Sequence, residues 1–370
     1  MTLTRTRLAT VPLVLAMLGT VGAGCQSSPP TIAPATTSAP SATSSPAVVT
    51  QESADDPVNQ VLAISIDGLN PRAIQLLGPS GAPAFHRLMR EGAWTLNARS
   101  ELESTRTLPN HTGMLTGRRV DETQRGHGVD FNTDNGRTVH DAAGHYVASV
   151  FDVVHDGGGT TAMFASKAKF RFFSRTWNTH GAADRTGADN GRAKIDRVTI
   201  DTNNARLVNQ LNTELRTKPR RFTFLHISLP DDAGHRSGFM GPEYLTAVRQ
   251  TDTLLGSILS TIDARPALKR QMLVVLTADH GGDGPSHAAA DALQNMRVPF
   301  MVWGPGVAAG RGLSSLNPTL RSAGDSRPTY TGKQPVRNAD LANLVTDVLD
   351  LRWVPGSELD IPRTLNVFDR

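Results

Sequence analysis

Five short apolar runs, each broken off by Gly, Pro or a charged residue, set the limits on how this chain folds: VLAISIDG (61–68), TTAMFAS (160–166), RFTFLHISL (221–229), MLVVLTAD (272–279) and VPFMVWGPG (298–306). Runs like these lack the alternation of a half-exposed strand and fit strands buried on both faces, the pattern of a parallel sheet. Helical stripes lie between and after them. Leu254, Leu255, Ile258, Leu259 and Ile262 form one, and Leu341, Leu344, Val345, Val348 and Leu349 form another, with Asn338 placed as its N-cap. This succession predicts an α/β fold of three layers, α/β/α, around a mostly parallel central sheet. With 38% hydrophobic and 19% charged residues the chain is neither fibrous nor disordered as a whole. Its formal charge of +4, spread over 38 basic and 34 acidic residues, is no nucleic-acid footprint.

Arg5 and Arg7, the apolar run Leu8 to Val21 and the small residues after it have the layout of an export signal over residues 1–24. The run is shorter than the about 20 apolar residues that a membrane-spanning helix needs. Cys25 is the single cysteine, which excludes an intrachain disulfide. Its place directly after VGAG resembles a bacterial lipoprotein signal, in which that Cys is lipidated; Gly22 stands where such signals carry an aliphatic residue. The Ser, Thr, Pro and Ala-rich stretch over 25–58 buries too little apolar surface to order itself and reads as a disordered tether. The expected organisation is signal, tether and one catalytic domain over 59–370. The expected location is outside the cytosol, secreted or anchored to the membrane through a lipid on Cys25.

In open parallel sheets ligands gather beyond the carboxyl ends of the strands. Asp67, Asp231 and Asp279 each fall at the close of an apolar run. One such Asp is ordinarily a helix cap or turn former. Three together, two of them with a histidine at a fixed offset, read as metal ligands. PDDAGHRSG pairs Asp231 with His235, and TADHGGDGPSH joins Asp279 to His280 with two glycines following. His287 is the last histidine of the chain and the only supplier of a further imidazole beyond that pair. Carboxylate and imidazole together suit zinc or a similar first-row ion rather than calcium. His86, His140, His145, His155, His180 and His226 read as structural or surface residues.

Between the first motif and the rest lies STRTLPNHTGMLTG (104–117), where hydroxyls stand just ahead of Pro109. A proline suits a first helical turn, whose free N–H groups would face an anion. A threonine hydroxyl is a poor nucleophile until bound metal lowers its pKa. Asn110 would offer an amide N–H to a phosphoryl oxygen. DFNTDNG (130–136) reads as a polar turn rather than a calcium loop. KAKFRFFSRTW (167–177) reads either as a grip for phosphate or base or as a surface strand, and stays outside the expected site.

The motifs SIDGLNP, TRTLPNHTGMLTG, HGVDFN, PDDAGHRSG and TADHGG, in this order over about residues 59–351, resemble those of the type I phosphodiesterase/nucleotide pyrophosphatase branch of the alkaline phosphatase superfamily. The resemblance implies that Asp67, Thr107, Asp279 and His280 surround one zinc and that Asp231, His235 and His287 hold a second. It implies Thr107 as nucleophile, since Thr107 and not Thr105 keeps the family's offset to Pro109, and Asn110 as the phosphoryl-stabilising amide. RNADLANLVTDVLDL resembles the superfamily's closing helix. The chain departs from nucleotide-type members in the short spacing of His287, and its Thr107-Leu108-Pro109-Asn110-His111 stands where a sulfatase carries C/S-x-P-x-R. The implied function is hydrolysis of phosphodiester or pyrophosphate bonds in small nucleotide-type substrates, without specific nucleic-acid binding. A phosphomonoesterase with the same metals and a non-catalytic surface-binding lipoprotein are the rival readings.

Overall fold

The computed structural model describes residues 58–179, 193–325, 327–357 and 365–369. The export signal, Cys25, the tether apart from Val58, and His180 lie outside the described residues. Eight strands, β1 (Gln60–Ile66), β2 (Ala93–Arg99), β3 (Thr161–Ala165), β4 (Arg197–Ile200), β5 (Phe222–Ile227), β6 (Met272–Thr277), β7 (Arg297–Trp303) and the short β8 (Arg311–Gly312), form one sheet in the order β4-β3-β5-β1-β6-β7-β2-β8. Only β7 opposes its neighbours β6 and β2; every other adjacent pair is parallel.

All five apolar runs of the sequence are strands: β1, β3, β5, β6 and β7. Every residue of β3, β5 and β6 is buried, and in β1 only Gln60 is partly open. Successive strand residues point to opposite faces, so both faces of the sheet's centre are covered. The covering helices form two groups. α1 (Pro71–Gly81), α2 (Pro83–Glu91), α5 (Asn204–Thr217) and α6 (Leu229–Ser237) all pack on the long α7 (Pro242–Asp263), while α3 (Thr107–Thr116), α4 (Val150–Asp156) and α8 (Asp340–Val348) pack on one another. The three-layer α/β/α expectation therefore holds. Leu255, Ile258, Leu259 and Ile262 of the α7 stripe are fully buried, as are Leu341, Leu344 and Val345 of α8.

One expected cap is different. The cap position of α8 is Ala339, and the Asn338 amide instead donates to Asn110 Oδ1 at 3.1 Å and to the carbonyls of Ala278 at 3.2 Å and Asp279 at 3.3 Å. It ties the end of β6 to α3. The segment KAKFRFFSRTW is not a surface strand: it winds through helical turns that bury Phe170, Phe172, Phe173 and Trp177. The 130–136 loop is a polar turn, in which Asp134 pairs with Arg175. Among the described residues no helix is long and apolar enough to cross a membrane.

Helix α2 has Ala82 at its cap position, which has no side chain able to cap it, and Asp252 of α7 takes that role from across the layer. Its Oδ1 accepts from Phe85 N at 2.8 Å and its Oδ2 from Ala84 N at 3.1 Å. Asp252→Ala leaves two helix-end N–H groups without a partner and is expected to cost about 2 kcal/mol. Urea unfolding checks this: the midpoint falls at unchanged slope, and Asp252→Asn, which keeps one acceptor oxygen, recovers part of the loss.

Candidate metal centre

β3, β5, β1 and β6 lie side by side, and the chain leaving each of them delivers one charged side chain to the same place. Asp67 follows β1 directly, Asp231 sits in the first turn of α6 after β5, Asp279 lies two residues past β6, and Lys167 two residues past β3. The turn after Asp67 needs a glycine. Gly68 has φ +68°, and a Cβ there would sit 3.0 Å from the Asp231 Cα. Asp231 N donates to the Asp67 carbonyl at 3.1 Å, so the loops after β1 and β5 are held to each other.

The expected ligands converge in two groups. Asp67, Asp279 and His280 bring their ligand atoms within 4.8 Å of one another, and so do Asp231, His235 and His287. In the first group His280 Nε2 lies 3.5 Å from Asp67 Oδ1 and 3.3 Å from Asp279 Oδ2. In the second, Asp231 Oδ1 is 3.4 Å from His235 Nε2 and 3.6 Å from His287 Nε2, and the two imidazole nitrogens are 3.1 Å apart. Asp231 and His235 stand one turn apart on α6, hence on one face.

Asp67 Oδ1, Asp231 Oδ1, Asp279 Oδ2 and His280 Nε2 are buried with no hydrogen-bond partner among the described residues. Buried polar atoms are ordinarily satisfied. The opposite atom of each of these side chains is satisfied: Asp279 Oδ1 accepts from Gly68 N at 3.0 Å and His280 N at 2.9 Å, and His280 Nδ1 donates to Gly281 O at 2.8 Å. His287 is held the same way, Nδ1 donating to Thr105 O at 2.7 Å. These bonds fix the tautomer that turns an Nε2 lone pair of each ring toward its group, and that of His280 has no partner among the described residues. The donor set thus fits divalent metal.

The charge balance says the same. Burial, then the Asp67 and Asp231 charges, push the Asp279 carboxyl well above its ordinary range. Asp67 is also buried, yet the Lys167 ammonium and a hydrogen bond from His226 outweigh that and hold it well below. Burial lowers His280, His226 and His111, and with the His280 charge lowers His287 to about 4, so these imidazoles are neutral near neutral pH. Neutral imidazole is the ligating form. Without cations the carboxylates repel one another; two divalent ions would offset that.

Three side chains of this centre were not placed in the site by the sequence reading. Lys167 Nζ reaches Asp67 Oδ2 at 2.7 Å and Asp231 Oδ2 at 2.5 Å. His226, read as structural or surface, is fully buried on β5 and donates through Nε2 to Asp67 Oδ2 at 2.9 Å, with its Nδ1 accepting from Ser166 Oγ at 3.1 Å. His111 bridges the first turn of α3 to β1: Nδ1 donates to Thr107 O at 2.7 Å and Nε2 accepts from Ser65 Oγ at 2.8 Å. The partial signals were the period-2 placement of His226 inside a buried strand and the position of Lys167 just past one.

Thr107 is buried at the first position of α3, and the ring of His111 that holds its carbonyl lies 3.7 Å from Asp279 Oδ2. Thr105 is committed elsewhere, its Oγ1 donating to His287 O at 2.5 Å. Asn110 corrects the sequence reading. Both of its amide N–H groups are taken, by Ser104 O at 2.7 Å and Arg106 O at 3.0 Å, and its Oδ1 accepts from Glu101 N at 2.8 Å. It anchors the loop ahead of Thr107 and has no N–H to offer a ligand. Asn132, from HGVDFN, stands at the start of α3 instead: its Oδ1 accepts from Leu108 N at 3.0 Å, and its amide nitrogen has no partner among the described residues.

Residues 61–296 match the family model described as Type I phosphodiesterase / nucleotide pyrophosphatase. Among solved structures, the fold is similar to that of murine ectonucleotide pyrophosphatase / phosphodiesterase 5 in an inactive threonine-to-alanine form in complex with AMP, with TM-score 0.56 and 15% identity over 80% of this chain and 96% of that one. The human protein of the same name gives TM-score 0.54 and 15% identity over the same shares, 80% and 96%. A 2-O GAG sulfatase gives TM-score 0.53 and 13% identity over 82% of this chain and 72% of that one. At such identities these structures establish the fold alone.

Glu101, in the loop that leads to Thr107, is fully buried; Oε2 accepts from Tyr330 OH at 2.7 Å and Oε1 has no hydrogen-bond partner among the described residues. Burial outweighs the Arg337 guanidinium and pushes this carboxyl from 4.5 up to about 7. Between these values the folded chain keeps a proton that the unfolded chain has lost, so stability falls as pH rises through the window and stays lower above it. Relative to Glu101→Gln, the wild type is expected to lose about 3 kcal/mol between pH 4.5 and 7. Denaturant melts of both proteins at several pH values check the slope; parallel curves overturn it.

Proposed function

Because the chain belongs to the type I phosphodiesterase/nucleotide pyrophosphatase family, within the alkaline phosphatase superfamily, and is a phosphodiesterase-like hydrolase, we propose that it cleaves phosphodiester or pyrophosphate bonds of small nucleotide-type substrates through Thr107 and two zinc ions. The observation that carries this reading is the set of four orphaned, buried donor atoms facing one another beside the buried start of α3. The murine relative's structure, in which a threonine-to-alanine form is inactive and holds AMP, supports a threonine in this role.

Asp67, Asp279 and His280, with the Thr107 hydroxyl, would hold one ion, and Asp231, His235 and His287 the other. Bound there, the pair would supply Lewis acidity toward the attacking hydroxyl and the departing oxygen. The chain's own groups do the rest. Thr107 Oγ would form a bond to phosphorus as the bond to the leaving oxygen breaks in line, the hydroxyl proton passing by way of solvent to the leaving oxygen; water would then add OH to phosphorus and return its other proton to Thr107 Oγ as the phosphothreonine bond breaks. Leu108 N–H is held by Asn132 Oδ1 and Asn110 N–H by Arg106 O, so the Thr107 N–H and the Asn132 amide nitrogen are the groups that would face the phosphoryl oxygens as charge grows on them. Thr105 and Asn110 fix the loop so that Thr107 is already aimed. The partner proposed is a small phosphate ester, met outside the cytosol by a domain tethered through Cys25; the sequence of the signal and tether supports that placement.

Purified protein is expected to hydrolyse bis(p-nitrophenyl) phosphate in preference to p-nitrophenyl phosphate, to lose activity to a chelator and to regain it with zinc. Thr107→Ala is expected to lower kcat/KM by at least about 10³-fold, as loss of a nucleophile does. A large preference for the monoester would overturn the substrate class, and an active Thr107→Ala enzyme the nucleophile.

A further inference from the structure

The two ligand groups come from different strand ends, yet one cation touches both. Lys167 Nζ bonds Asp67 Oδ2 and Asp231 Oδ2, one carboxylate from each group. The atoms it takes are the ones the metals would not use. In both residues Oδ1 is the orphan, and Oδ1 is the atom that faces the histidines of its group: Asp67 Oδ1 lies 3.5 Å from His280 Nε2, and Asp231 Oδ1 lies 3.4 Å from His235 Nε2. The lysine holds the outer side of each carboxylate and leaves the inner side open. His226 adds a second bond to the same outer oxygen of Asp67, and Ser166, the neighbour of Lys167, accounts for the other nitrogen of His226. The side chain of Lys167 is 16% exposed.

We propose that Lys167 is a positioning residue that couples the two metal positions, setting the orientation of one carboxylate in each before any ion arrives. This rests on the two-metal reading above. A carboxylate rotates freely about its last bond unless something holds one oxygen, and partners of that kind behind a metal ligand raise affinity by ordering it. Placed between the groups, a single ammonium orders both. A competing role, in which the ammonium fills the place of an ion, would put Nζ against Oδ1 and the histidine nitrogens. It lies against Oδ2 instead, which argues for ordering over competition.

The test is a zinc titration of chelator-treated protein, followed by calorimetry or a chromophoric chelator, so that binding is read without activity. Wild type is expected to take up two ions. Lys167→Met is expected to weaken both by about 10- to 100-fold, with Lys167→Arg, which keeps a cation and several N–H donors, recovering part of the loss. His287→Ala, which lies in one group only, should weaken one ion alone. If Lys167→Met leaves either ion unchanged, or tightens one, the coupling role is wrong while the two-metal reading stands. If wild type binds fewer than two ions, the two-metal reading itself fails. A crystal structure of the wild-type zinc form gives a second measurement that needs no variant. Nζ within hydrogen-bond distance of both Oδ2 atoms, with the ions on Oδ1, supports the role; a lysine turned away from either carboxylate overturns it.

Discussion

Three carboxylates share one buried patch at the carboxyl end of the sheet, and the rest of the site is arranged around the cost of that. Asp67 and Asp279 are fully buried and Asp231 is 2% exposed, a grouping that water would ordinarily screen and here does not. One ammonium and a few N–H donors from His226, Gly68 and His280 satisfy half of the oxygens. The other half are left facing inward. Removing one partner from such a cluster costs more than the pair is worth when intact, because a charge is left alone in a medium that solvates it badly. A chain that keeps this arrangement does so for what the open atoms bind.

The sheet makes the arrangement possible. Parallel strands bring their carboxyl ends to one edge, so residues far apart in sequence meet: Asp67, Lys167, Asp231 and Asp279 all arrive from strands that are immediate neighbours. Because β1 lies between β5 and β6, Asp67 is flanked by Asp231 on one side and Asp279 on the other. The register places Ser65 of β1 beside His226 of β5, which sets both for their roles under the site. The core supplies the stiffness. Strands close-packed by helices on both faces cannot shift without repacking the core, and the donor distances inherit that rigidity.

Most of the fold was legible because burial on two faces leaves a strong mark: five of the strands are continuous apolar runs. The strands that were not legible carry weaker marks. β2 reads AWTLNAR, with polar residues and a shift of register between Thr95 and Ala98; β4 is a half-buried edge; β8 has two residues. Of the six acidic and imidazole residues in the two groups, Asp67, Asp231, Asp279 and His280 could be read from sequence because they sit just past strand ends, and His235 and His287 through their offsets from them. Lys167 and Asn110 could not. Lysine is a surface residue by default, and whether its ammonium turns to solvent or under a loop depends on what the loop packs against, here a cluster of buried aromatics. Asn110 has the right chemistry for a ligand, but an amide has few N–H groups, and two nearby carbonyls already use them.

The two ligand groups are unequal, and the inequality gives the site a direction. Asp67, Asp279 and His280 are 0% exposed, whereas the His235 side chain is 54% exposed and stands on the last turn of a short helix. Solvent therefore reaches the donor set from the His235 side. An ion in the outer group keeps contact with water and gives up less of its hydration, while one in the inner group must exchange its whole shell for protein atoms. Thr107 is buried at the start of α3, and in the proposed mechanism its hydroxyl would meet phosphorus away from bulk water. A substrate entering over His235 would meet the outer position first and present its phosphorus to the hydroxyl behind it, with its departing portion still turned toward solvent.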